Sequence, residues 1–167
     1  METTIEKINT IFAMYPNTNG FGFVYMENVR KLVGFGSVRF NPISNKRILE
    51  RIKKMFEDFP PTQIVLLNPE SKVSRTGKRT KKLINEILAF AESEKHPIVQ
   101  YSRDQIRDVF SPKHVTKYEI AKHLLTEFEE LKVYKPAERN LWMSEDRNMA
   151  IFDALSLAIT WFYLSTK

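Results

Sequence analysis

One carboxylate stands alone in an apolar setting. From Met149 to Tyr163 every residue is apolar or weakly polar except Asp153. A stretch apolar on all sides reads as a helix most of which is buried. A carboxylate inside it costs several kcal/mol unless something compensates it. Two chemistries could do so. Asp153 is either tied to a backbone amide or a buried Arg or Lys, or it is a metal ligand or catalytic carboxylate. The helix is read as opening at Ser144, a capping residue, with Glu145 and Asp146 in its first turn, where the dipole favours acids. Asp146 shares a face with Asp153 but lies about 10 Å away along the axis. That is far for two ligands of one ion.

A second cluster is basic. Residues 71–82 hold Lys72, Arg75, Lys78, Arg79, Lys81 and Lys82 and no acid. Hydroxyl residues and Gly77 are interspersed among them. Such a run is either a solvated loop and helix start or a loop that contacts phosphates. It is not a P-loop, since the first glycine is missing and Arg79 stands where Ser or Thr is needed. Lys113 and Lys117 are basic candidates for the opposite side of a cleft. His96, His114 and His123 lack ligand partners at helical spacing and are read as core or surface residues. Trp142 and Trp161 are read as core.

The elements that must position these groups follow from periodicity and breakers. Residues 9–15, 20–26 and 31–40 read as strands joined by short connections, an antiparallel meander. The glycines in the second and third imply close backbone approach or a bulge. Residues 44–58 alternate as an amphipathic helix that Pro60-Pro61 stops. Residues 62–67 are a continuous apolar strand. A helix then runs to about Glu94, a fifth strand spans 97–101, and a short helix spans 103–110. Thr116 caps a helix to about Leu131 and forms a capping box with Glu119. Residues 133–140 read as a linker.

Composition bounds the rest. The 167 residues suit a single domain, 1–167, and 43% hydrophobic with 28% charged residues fits a soluble protein. No apolar run is long enough to span a bilayer, the N-terminus is not a signal sequence, and a cytoplasmic location is expected. Zero cysteines exclude disulfides and thiolate metal sites. A net charge of +6 makes a polyanion partner, DNA or RNA, plausible.

Three antiparallel strands followed by strand–helix alternation predict an α/β fold, a mixed five-stranded sheet with helices on both faces. That order resembles the RNase H-like fold, and several segments resemble RuvC-like Holliday junction resolvases within it. Residues 11–17 followed by Gly20-Phe21-Gly22 are similar to that family's apolar strand, Asp-Pro-Gly turn and Gly-aromatic-Gly strand. Residues 101–107 and 116–121 resemble its strand–helix segment and lysine-bearing helix start. Residues 151–158 are similar to its closing Asp-Ala-Leu-Ala helix.

The resemblance implies a cluster of carboxylates holding two divalent ions, Mg²⁺ or Mn²⁺, that activate water against a phosphodiester. This chain departs from it. Tyr15 stands at the first-strand acid. Leu67, or Asn68 with a shift of one, stands at the fourth-strand acid, and Ala150 at the penultimate one. Only Asp153 matches, with Glu70, Glu145 and Asp146 as displaced replacements. A tyrosine phenol stays protonated near neutrality and leucine has no donor atom. One alternative has Tyr15 bonded to Asp153. Three expectations follow. The first is a nucleic-acid-binding domain with an impaired site. The second is an atypical metal-dependent endonuclease with Asp153 and Asp146 as catalytic candidates. The third is a protein-interaction scaffold. A homodimer is compatible with each.

Overall fold

The structure is a computed structural model that describes residues 9–72, 75–114, 116–139 and 144–165. Trp142, Val73 and Ser74 lie outside the described residues. The strands are β1 (Ile11–Pro16), β2 (Gly20–Asn28), β3 (Lys31–Arg39), β4 (Gln63–Asn68) and β5 (Ile98–Ser102). The helices are α1 (Asn45–Asp58), α2 (Lys78–Ser93), α3 (Arg103–Phe110), α4 (Lys117–Glu127) and α5 (Met149–Ser165), with a 3-10 turn at Glu129–Tyr134. The five strands form one sheet in the order β3-β2-β1-β4-β5. The first three are antiparallel, and β4 and β5 run parallel to β1.

Alternation along β1 divides the core. Ile11, Ala13 and Tyr15 face α3, α4 and α5, together with Val65, Leu67 and Tyr101. Phe12 and Met14 face the other way, onto Ile48, Ile52 and Phe56 of α1 and Leu83, Ile84 and Ile87 of α2. Period-2 burial on a sheet covered on both faces accounts for strands that are apolar at nearly every position. Among the described residues no helix is long and apolar enough to cross a membrane.

Local chemistry explains most boundaries. Asn17 turns β1 into β2, its Oδ1 accepting from the amides of Asn19 and Gly20, each at 2.9 Å. Ser44 caps α1. Thr116 and Glu119 form the predicted capping box, and Ser102 and Gln105 form another at α3. At Gly22 the reason is close approach. A Cβ there would lie 1.9 Å from the carbonyl oxygen of Ala150, so α5 begins hard against β2. The bulges of the β2–β3 pair fall at Tyr25 to Asn28 instead.

Two expectations about helices need correction. α4 ends at Glu127, because Phe128 leaves helical geometry (φ −122°, ψ 79°) to bury its ring. α5 begins at Met149, not after Ser144. The Asp146 carboxylate accepts the Asn148 amide at 2.8 Å and the Ala137 amide at 3.0 Å, while its carbonyl accepts the Met149 amide at 3.0 Å. Those bonds hold the preceding segment as a turn. Most of α5 is buried, as its composition predicts: burial runs from Met149 to Thr160 and leaves Trp161 and Phe162 half-buried and Tyr163 exposed.

Candidate functional site

Parallel strands present ligands at their carboxyl ends, where the connections part. Here β1 ends in Tyr15 and Pro16, β4 in Leu67 and Asn68, and β5 runs directly into Arg103. These residues line a cleft of about 790 Å³ that also takes in Lys117, Ala150 and the segment 144–147. Beneath these lining residues lies Asp153, in the first turns of α5 and 3% exposed. Its Oδ2 accepts from Lys117 Nζ at 3.0 Å. Its Oδ1 lies 3.9 Å from Arg103 Nη1. Asp153 is therefore held by two cations, a half-buried Lys117 and a buried Arg103, one of the two chemistries its setting allowed.

Lys117 is the hub of this cluster. Its ammonium sits 3.4 Å from both Glu145 carboxylate oxygens and 5.2 Å from the centre of the Tyr15 ring, within cation–π range. Burial would lower the Lys117 pKa, but the charge of Asp153, followed by those of Tyr15 and Glu145, carries it above the ordinary lysine range. The Tyr15 phenol is pushed up, first by burial and then by the nearby Asp153 charge. It stays neutral, and the partner of Asp153 is Lys117 and not Tyr15. Arg103 is 6% exposed, and its Nη1 has no hydrogen-bond partner among the described residues.

The displaced acids do not assemble around Asp153. Both Asp146 carboxylate oxygens are engaged by backbone amides. Glu70 is exposed past the end of β4 and is not part of the cleft wall. Glu145 reaches in only as far as Lys117. No group of three or more His, Asp or Glu side chains suited to a metal occurs among the described residues. The donor set does not fit a pair of divalent ions. Tyr15, Leu67 and Ala150 supply no carboxylate, and Asp153 is already neutralised by Lys117 and Arg103.

The basic candidates divide. Arg75 and Lys117 line the cleft. Lys72, Lys78, Lys81, Lys82 and Lys113 are exposed outside its wall. Arg79 serves the fold, donating to Asn45 Oδ1 at 2.7 Å and to the Asn17 carbonyl at 2.7 Å, which ties α2 to α1 and to the β1–β2 turn. Sequence reasoning missed Arg39, Arg103, Arg139 and Arg147, all on the cleft wall. Arg103 carried a usable signal: it follows β5 directly, at the carboxyl end of a strand. His114 and His123 stack with ring centres 4.5 Å apart, outside the cleft lining.

Neither a protein-family model nor a curated protein matches the sequence. Solved structures do match the fold. Thermus thermophilus RuvC in complex with a Holliday junction substrate superposes with a TM-score of 0.64 at 19% identity, over 95% of this chain and 96% of that one. Another structure of Thermus thermophilus RuvC gives 0.65 at 18% identity, over 94% and 96%. The yeast mitochondrial Holliday junction resolvase Ydc2 gives 0.58 at 14% identity, over 98% and 82%. The chain has the RuvC-like form of the RNase H-like fold.

Proposed function

We propose that this RuvC-like domain binds nucleic acid through its cleft and does so with fixed cations in place of divalent ions, without cutting the strand. One observation carries this reading: at the base of the cleft, Lys117 and Arg103 both face the buried carboxylate of Asp153. The cleft wall supplies further positive charge from Arg39, Arg75, Arg139 and Arg147, against Glu145 and Asp146. Guanidinium and ammonium groups bind phosphate oxygens directly, and neither one can activate water as a metal ion does. The relative solved with a Holliday junction makes a four-way junction the natural first probe, with duplex beside it.

The test is a binding titration of labelled junction and duplex in EDTA and in Mg²⁺ or Mn²⁺, over a series of salt concentrations, with each sample also run denatured. Expected are intact strands, binding in EDTA, and a log–log salt slope of about −3 from a few phosphate contacts. Arg75→Ala should make the slope shallower by about 1. Arg79→Ala should lower stability instead, because its bonds are internal. Metal-dependent cleavage would overturn the proposal, and so would unshifted nucleic acid at low salt.

A further inference from the structure

The floor of the cleft contains an imbalance that the binding reading does not by itself explain. Asp153 and Glu145 both face Lys117, but they are held differently. Asp153 is buried and sits at 3.0 Å. Glu145 has a side chain 36% exposed, sits on a non-helical segment, and keeps both oxygens at 3.4 Å. Charge-assisted N–H···O bonds close to about 2.7–2.9 Å when well made, so the Glu145 contact is the loose one. Arg103, with a side chain only 7% exposed, also lines the cleft; its buried Nη1 lies 3.9 Å from Asp153 Oδ1 and lacks an acceptor within hydrogen-bond distance. A buried donor on a charged group left without a partner is costly.

Charge accounting links the two. Lys117 and Arg103 carry two positive charges, and Asp153 and Glu145 carry two negative ones. The floor is neutral with Glu145 in place. Once Glu145 swings out, one positive charge is left over, matching the single negative charge of a backbone phosphodiester.

We infer that Lys117 and Arg103 form a subsite for one backbone phosphate, and that Glu145 occupies it as an internal stand-in until nucleic acid displaces it. Lys117 keeps Asp153 throughout and exchanges a carboxylate oxygen for a phosphate oxygen. Arg103, which lines the cleft beside Asp153, adds the second positive charge that faces the phosphate. The subsite rests on the cleft being a nucleic-acid site, and it adds a residue that opposes binding.

The test compares dissociation constants for labelled duplex in EDTA. Glu145→Gln removes the competing charge and should tighten binding about 3- to 10-fold. Glu70→Gln makes the same change of net charge at an exposed site outside the cleft, and should change binding less than 2-fold. The charge-balanced pair Arg103→Met with Asp153→Asn, confirmed folded by its thermal transition, should weaken binding about 10-fold. If the unaltered chain binds and Glu145→Gln gains no more than Glu70→Gln, the stand-in is wrong and the cleft reading survives. If the Arg103 pair binds as tightly as the unaltered chain, the subsite is wrong. A chain that does not bind at all removes the cleft reading and the subsite together.

Discussion

Replacing Asp153 by Asn tests the site without any ligand. At an effective dielectric constant of about 20, unit charges at the observed 3.0 Å and 3.9 Å attract by roughly 5 and 4 kcal/mol. Much of that only offsets the desolvation of the three charges. Removing the carboxylate forfeits the attraction and leaves the desolvation. Lys117, with a side chain 31% exposed, can partly rehydrate, while Arg103, at 7%, cannot. Loss of one partner from a buried pair costs about 3–5 kcal/mol, and we expect the lower end, about 3 kcal/mol, for Asp153→Asn. In a domain of this size that is a fall of about 6–12 °C in Tm. Urea unfolding followed by circular dichroism measures it. Adding Arg103→Met to Asp153→Asn should recover part of the loss, because the stranded cation goes too. A cluster of carboxylates awaiting metal behaves oppositely, since removing one of several mutually repelling charges relieves strain. An Asp153→Asn variant as stable as the unaltered chain, or more so, would show that Lys117 and Arg103 do not depend on this carboxylate.

Two further predictions concern the scaffold. The Tyr25 phenol is pushed up to about 12, first by burial and then by Asp58. A group whose folded pKa lies above its unfolded value near 10 contributes fully below about pH 10 and loses that contribution as pH rises toward the folded value, here about 2–3 kcal/mol by pH 12. Tyr25→Phe should therefore lessen the alkaline fall in urea stability between pH 10 and 12; an unchanged difference between pH 8 and pH 12 would count against the assignment. At Gly22, Ala would drive a methyl into the Ala150 carbonyl, and a loss of about 3 kcal/mol is expected. A normal transition for Gly22→Ala would show that α5 does not sit as tightly on β2 as described.

Much of the fold was legible because its signals are local. The Asn17 turn, the Ser44 cap, the Thr116–Glu119 capping box and the alternation of β1 each depend on residues within a few positions of one another. The start of α5 was misread because two features compete over the same few residues. Ser144 followed by two acids looks like a helix opening, yet Asp146 uses its carboxylate on the Ala137 amide, which no local pattern reveals. Arg79 looked like one more charge in a basic run until its partners, Asn17 and Asn45, were seen to come from other elements.

Residue type and pattern alone require that Asp153 be compensated and leave Tyr15, Leu67 and Ala150 without a metal donor, because burial cost and donor chemistry are local properties. The order of strands and helices likewise specifies the mixed sheet. The identity of the groups that compensate Asp153 comes from long-range packing. Lys117 is 36 residues away and Arg103 further still. They meet at one carboxylate because β5 lies beside β4 in the sheet, so that Arg103 emerges at the same edge as Leu67, while α4 packs against α5. Charge interactions fall off with distance in space, not along the chain, and that distance exists only once the strands are in order.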